Sequence, residues 1–215
     1  MVHPSIDNIN LIKNEVEFKK SNAEVIAVSK TFPLEKIIPL IDYGHTHFGE
    51  NKVQEAIEKW SDIKQVNNNI KLHLIGKLQK NKVKYCVPLF DYIHSLDNYK
   101  LAEKISSEQE KKKFKPKIFI QVNIGNEVQK NGIQIDFLDK FINDCKLNLD
   151  LNIIGLMCIP PNDNNSKYHF KKLNDLNMKY SFQHLSMGMS ADYKEALNFG
   201  ATFVRIGSKI FGSRN

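Results

Sequence analysis

Strand-like and helix-like stretches alternate along this chain without a break, and that regularity constrains the fold more than any single motif. Short apolar runs rich in β-branched residues fall at 24–30, 46–49, 70–76, 90–94, 117–124, 151–158, 182–187 and 202–207. Such runs read as strands. Between them lie helical patterns at 34–43, 50–60, 79–87, 97–113, 135–145, 167–179 and 191–199. Local signals punctuate them: Pro33 suits a first helical turn, Gly44 and Gly200 suit helix ends, Pro88 should stop a helix, and Asp97 reads as an N-cap. An amphipathic helix over 7–20, with Ile9, Ile12 and Val16 on one stripe, precedes the first strand, and 209–214 reads as a tail. Strict alternation argues a parallel sheet, and eight repeats close a (β/α)8 barrel. The rival is an open doubly wound sheet, which usually carries a glycine-rich first turn. Here the first strand ends instead in Ser29-Lys30. We expect one α/β domain over 1–215: a single (β/α)8 TIM barrel with an extra N-terminal helix.

A barrel gathers the carboxyl ends of its strands at one mouth, where ligands are met. The residues there are Lys30, Glu50-Asn51, Gly76, His94-Ser95, Asn123, Met157, residues 186–190, Arg205 and Gly207-Ser208. Lys30 follows a strand with apolar residues on both parities, as expected of a strand buried on both faces. A lysine there either caps the strand in solvent or offers its amine to an aldehyde as a Schiff base.

Arg205 stands out because of what the chain uses elsewhere. Of 31 lysines and arginines only Arg205 and Arg214 are arginine, leaving 29 lysines. An arginine inside an apolar strand either presents a planar, permanently charged fork to a ligand or pairs with a buried acid. Gly188-Met189-Ser190 and Gly207-Ser208 follow the last two strands. Barrels hold phosphate at that place, because glycine lets backbone amides approach an anion and serine adds donors.

Composition removes several function classes. A net charge of +7 invites nucleic acid, but the basic residues are dispersed among acids and only 111–117 clusters, at a helix-to-strand junction. We therefore expect no nucleic-acid partner. No run is long enough to cross a bilayer, and the start lacks the layout of a secretory signal. Cys86, Cys145 and Cys158 show no paired or metal spacing and read as reduced thiols of a cytoplasmic protein. His45 and His47 have no third ligand at metal spacing, and His73 reads as a core histidine. Neither a Ser–His–Asp nor a Cys–His arrangement is legible.

Seven ordered segments, AVSKTFP, FGENKVQEA, HLIGKLQKNK, QVNIGNEVQKNGI, GLMCIPP, LSMGMSADYKEAL and FVRIGSKIFGSR, resemble the pyridoxal-phosphate homeostasis proteins, relatives of the alanine racemase barrel. The resemblance runs from Val25 to the C-terminus. It implies a fold-type III barrel for pyridoxal 5′-phosphate (PLP), with Lys30 holding the cofactor as an internal aldimine. It implies that Arg205 faces the pyridine nitrogen, that Ser190, Gly207 and Ser208 cradle the phosphate, that Ser186, Gly188 and Met189 line the same edge, and that Asn51 lies near the ring. Lys77 departs from the family's usual proline, and Ser208 replaces a frequent threonine with another hydroxyl.

The function implied is intracellular PLP homeostasis. The chain would hold the cofactor and serve PLP-dependent apo-enzymes, as a monomer without strong catalytic activity, without catalytic residues of its own and without a metal. The alternative is a PLP-dependent amino-acid racemase. The expectation against it is that no β domain follows the barrel and that no second acid/base faces the substrate.

Overall fold

Period-two alternation builds every strand of this barrel and sorts its side chains into two cores. The computed structural model describes residues 3–127 and 129–213; Arg214, read above as a tail residue, lies outside them. The strands are β1 Glu24–Val28, β2 His47–Glu50, β3 Lys71–Leu74 and β4 Tyr92–Leu96, then β5 Lys117–Gln121, β6 Ile153–Met157, β7 His184–Met189 and β8 Phe203–Ile206. They pair in sequence order, all parallel, and β8 returns to β1 to close the barrel. The helices are α1 Pro4–Phe18, α2 Leu34–Asp42, α3 Val53–Val66, α4 Val83–Leu89, α5 Tyr99–Lys112, α6 Leu138–Asn148, α7 Ser166–Lys179, α8 Tyr193–Asn198 and α9 Ser208–Phe211.

One parity of each strand faces the helices. Val25 and Ala27, Leu72 and Leu74, Ile118 and Ile120, and Val204 and Ile206 pack there in one continuous core with Ile37, Trp60, Leu101 and Phe170 from the helices. The other parity fills the lumen. Ile26, Tyr92, Phe119, Met157 and Phe203 form a separate inner cluster. Most barrels fill this space with branched aliphatic side chains. Here aromatic rings and three histidines take it: His73 stacks on Tyr92 at 4.2 Å between centroids and His94 on Phe119 at 4.5 Å.

α1 buries Ser5, Ile9, Ile12 and Val16 and covers the side of the barrel beside α2, α8 and α9. Asn8 Nδ2 donates to the Ile210 carbonyl at 3.0 Å, and Glu15 meets both Lys194 and Tyr193 of α8. The three cysteines are free and buried. Among the described residues no helix is long and apolar enough to cross a membrane.

Several boundaries differ from those read in the sequence, each for a physical reason. Glu50 belongs to β2 and not to the following helix, because its carboxylate is buried against strand and helix partners described below. α3 starts only at Val53, after an extended Lys52. Pro88 does not stop α4: it lies in the last turn, and the Phe90 N–H still reaches the Cys86 carbonyl. The α5 cap is Asn98, whose Oδ1 accepts from the Leu101 N–H at 2.9 Å; Asp97 accepts from Asn98 instead. β7 extends through Gly188 and Met189, and the tail contains α9.

Candidate functional site

The carboxyl edges of β7, β8, β1 and β2 lie side by side, and most of the sequence-marked residues fall on that arc. Ala27 pairs with Ile206 and Val28 with Gly49, so Lys30 stands between Gly207-Ser208 on one side and Asn51 on the other. The Gly207 α-carbon faces Val28: a Cβ there would lie 3.4 Å from the Val28 Cβ. Met189 pairs with Arg205 across β7 and β8.

The turn that carries Lys30 is held under constraint. Thr31 has φ 67°, the left-handed region that a β-branched residue avoids. Glu55 accepts from the Thr31 N–H at 2.5 Å, and the Phe32 N–H closes the turn on the Ser29 carbonyl at 3.2 Å. Ser29 is fully buried and donates to Glu50 Oε1 at 2.7 Å. The same oxygen accepts from Trp60 Nε1 at 3.1 Å and from Lys59 Nζ at 3.1 Å, and Lys59 also reaches the Ser29 carbonyl at 3.0 Å. A buried carboxylate thus ties the turn before Lys30 to α3. Burial raises the Glu50 pKa, and Lys59, Ser29 and Trp60 oppose that shift.

Removing Lys59 leaves a buried charge without its counter-ion. Lys59→Met is expected to cost about 3–5 kcal/mol in a urea melt. The double variant with Glu50→Gln should recover most of it, since the amide oxygen still accepts from Ser29 and Trp60. A double variant as weak as the single one would show that the charge is not the cause.

Arg205 is 5% exposed. Its Nη1 donates to Ser186 Oγ at 2.7 Å and its Nη2 to the Cys158 carbonyl at 2.9 Å. Neither partner is an acid, and among the described residues no salt bridge reaches it. Of the two readings of this arginine, pairing with a buried acid is therefore removed. Burial lowers its pKa from the usual value, yet a guanidinium remains charged. Burial also pushes the Cys158 thiol up to about 12, which keeps it inert.

On the edge expected to cradle a phosphate, Gly188 has φ +89° and packs against α8: a Cβ there would lie 2.6 Å from the Ala196 Cβ and 2.9 Å from the Tyr193 Cα. Only glycine fits that bend. It turns the backbone so that the Met189 N–H meets Asp192 Oδ1 at 2.6 Å, with half-buried Ser190 next in the chain. Ser208 is exposed and opens α9, whose first N–H groups have no acceptor within the helix. These donors, two serine hydroxyls and a guanidinium without an ion pair among the described residues suit a phosphate and a ring acceptor, so the residues fit a pyridine phosphate.

Other mouth residues serve the scaffold. Ser95 Oγ donates to the Gly76 carbonyl at 2.7 Å, and Asn123 pins its own loop through the Glu127 backbone. His94 and Met157 point into the lumen. Asn51 lines a surface cavity of about 430 Å³ with Gly76, Lys52, Lys77 and Lys82. Lys77, in the place of the family's usual proline, donates to Asn131 Oδ1 at 2.9 Å and so ties that turn to the opposite loop.

Sequence reasoning missed two groups. The Glu50 hub has one sequence signal, an acid directly after an apolar strand and ten residues before Trp60 on the apolar face of the next helix. The lumen histidines had a clearer one: His47, His73 and His94 share the inward parity of three successive strands. His73 was read as a core histidine, and it is fully buried.

Comparison with known proteins agrees with this geometry. The family model described as alanine racemase, N-terminal domain, matches residues 6–215. The pyridoxal phosphate homeostasis protein of Haemophilus influenzae is 34% identical over 225 residues, covering 97% of this chain and 95% of that protein. Its counterpart in Buchnera aphidicola is 38% identical, covering 95% of each. The solved structure of PipY from Synechococcus elongatus PCC7942, with PLP bound, superposes with a TM-score of 0.88 at 30% identity, covering 97% of this chain and all of that one. Alanine racemase of Clostridium difficile shares the fold at 15% identity and a TM-score of 0.78, with 57% of its length covered. The chain thus belongs to the alanine racemase N-terminal domain family and, within it, to the pyridoxal phosphate homeostasis proteins.

Proposed function

We propose that this protein holds pyridoxal 5′-phosphate at the β7–β8–β1–β2 edge and serves cofactor homeostasis as a binding protein, not as an enzyme. The observation that carries this reading is Arg205: a buried cation whose hydrogen-bond partners are both neutral, beside β1, the strand that leads into Lys30. When bound, the cofactor supplies an aldehyde carbon to which a lysine amine adds with loss of water. Lys30 provides that amine on its constrained turn. Ser190, Gly207 and Ser208 hold the phosphate, Ser186, Gly188 and Met189 shape the adjoining edge, and Asn51 bounds the ring's other side.

Arg205 favours holding over catalysis. A guanidinium does not give up its proton readily, so Arg205 would leave a ring nitrogen set against it as an acceptor, and a ring held that way would be a poor sink for carbanion electrons. A racemase also needs a second acid/base across the substrate. We further propose that the protein works in the cytoplasm as a monomer and passes cofactor to apo-enzymes that depend on it.

The test is optical. Protein mixed with PLP should develop a visible band that borohydride bleaches, with the reduced label recovered on Lys30 by peptide mass spectrometry, and Lys30→Ala should lose the band entirely. A band that survives in Lys30→Ala assigns the link elsewhere and sinks the site. Racemisation of alanine by the loaded protein should not exceed that of free cofactor; turnover well above it would make this an enzyme.

A further inference from the structure

Five side chains from five strands form an unbroken chain of hydrogen bonds across the lumen. Arg205 Nη1 donates to Ser186 Oγ at 2.7 Å. Ser186 Oγ lies 2.8 Å from His94 Nδ1, His94 Nε2 lies 2.9 Å from His73 Nδ1, and His73 Nε2 lies 2.9 Å from His47 Nδ1. At the far end His47 Nε2 points toward Glu24 Oε2 at 3.9 Å. Ser186, His94 and His73 are fully buried. A dry lumen could be filled as well by aliphatic side chains, so a polar chain there calls for a reason.

Donor chemistry gives the chain one direction. A guanidinium only donates, so Ser186 Oγ must accept from Arg205. The single hydroxyl hydrogen of Ser186 then needs an acceptor, and His94 Nδ1 is in place for it. A neutral imidazole with Nδ1 accepting carries its proton on Nε2. His94 therefore donates to His73, His73 to His47, and His47 toward Glu24. In the reverse sense Ser186 would accept twice, and its own hydrogen would be stranded in the lumen.

The rings are held in register by stacking, His73 on Tyr92 and His94 on Phe119. Burial keeps them neutral. Arg205 beside His94 opposes a further proton, as do Lys64 near His73 and Lys71 and Lys117 near His47, while Glu24 and Asp91 near His47 act the other way.

We propose that His47, His73 and His94 are positioning residues: with Ser186 they form a one-way relay that turns its acceptor ends toward Arg205 and fixes the guanidinium for the cofactor ring. The proposal rests on the cofactor reading above. The relay takes the place of the carboxylate that a buried arginine usually has. Aligned neutral dipoles, with Asp192 acting from beyond hydrogen-bond reach, balance its charge, and they occupy one side of the fork so that the rest of its donors remain for a ligand. Because Arg205 can only donate, the chain ends there; it orients the guanidinium and delivers no proton to it.

The first test needs no variant and no cofactor. Long-range proton–nitrogen correlation spectra of the histidine rings in the cofactor-free protein, at pH 7.5, should show His94, His73 and His47 all protonated on Nε2 alone. His94 protonated on Nδ1, or mixed tautomers along the chain, would overturn the relay. The second test compares His94→Asn with His94→Leu. Asparagine can leave an amide oxygen for the Ser186 hydroxyl; leucine cannot. In His94→Leu the tautomers of His73 and His47 should become mixed, the visible cofactor band should move, and PLP affinity should fall about tenfold, a loss on the order of one buried hydrogen bond. His94→Asn should restore the wild-type band and most of the affinity. A wild-type band that His94→Leu leaves unmoved, at unchanged affinity, overturns the positioning role alone. Absence of any band in the wild type sinks the cofactor reading and the positioning role with it, whatever the tautomers.

Discussion

Acidification will destabilise this protein steeply from pH 6.5 downward, beginning before its carboxylates are protonated. His45, His73 and His94 are buried as neutral rings, and burial pulls His45 down to about 3 and the other two well below the ordinary 6.5. The sign follows from proton counting. Below pH 6.5 the unfolded chain takes up protons at these rings and the folded chain does not. Stability is therefore full above pH 6.5 and falls as the pH drops beneath it. Each such histidine contributes a slope of about 1.4 kcal/mol per pH unit, so three contribute about 4 kcal/mol per unit. Half-buried His47 and His184 shift the same way. Glu50, raised by burial, works in the opposite sense, but it is one group against several. Since a domain is stable by only about 5–15 kcal/mol, two pH units are enough to remove most of that margin. Urea melts at pH 7.5, 6.0 and 5.0 measure this directly. A flat stability across that range would mean that the buried rings already carry protons in the fold, which would also deny the lumen relay its neutral histidines.

Gly155→Ala is the substitution with the largest expected structural effect. A Cβ at Gly155 would lie 1.8 Å from the His184 carbonyl oxygen and 2.6 Å from its carbonyl carbon. Both are backbone atoms of the neighbouring strand, which pairs directly with Gly155, so no side chain can move aside. The β6–β7 seam must part, and Ser186, two residues along β7, moves with it. We expect a loss of about 5 kcal/mol or more, which for a chain of this size lowers the melting temperature by about 10–20 °C. Gly44→Ala is the control. Its φ is +89° but nothing lies within 4 Å, so only local backbone strain of about 1–2 kcal/mol is incurred. Equal losses at the two positions would mean that conformational freedom, and not the close strand approach, is what Gly155 supplies.

The barrel was legible because period-two apolar runs and helical patterns alternate in the chain, and each strand read from the sequence corresponds to one in the fold. Boundaries failed where a side chain made a contact that local propensity does not carry. Glu50 reads as a good first-turn helical residue, yet Ser29, Lys59 and Trp60 draw it into the sheet. Asp97 and Asn98 are both capable caps, and only the geometry selects Asn98. On the arc around Lys30, topology alone put Gly207, Ser208 and Asn51 beside it. The Arg205–Ser186 contact was not readable, because it depends on two strands facing inward at matching height. The histidine chain was only half legible: the inward parity of positions 47, 73 and 94 is in the sequence, but the register of the neighbouring strands β2, β3 and β4 that brings their ring nitrogens to 2.9 Å is not.

The site also has a place in time. The proposed site straddles the seam where β8 meets β1, so Lys30 leaves the ribosome about 175 residues before Arg205, roughly 9 to 35 seconds at ordinary rates of synthesis. Until β8 docks, β1 has an open edge, and neither the guanidinium nor the amides after Gly207 exist beside Lys30. A nascent or nicked chain that has lost β8 keeps its lysine but lacks the residues proposed to hold a phosphate next to it. On the proposed site, cofactor capture would report that the ring has closed, and PLP would be a ligand of the finished barrel and a stabiliser of the seam that is made last.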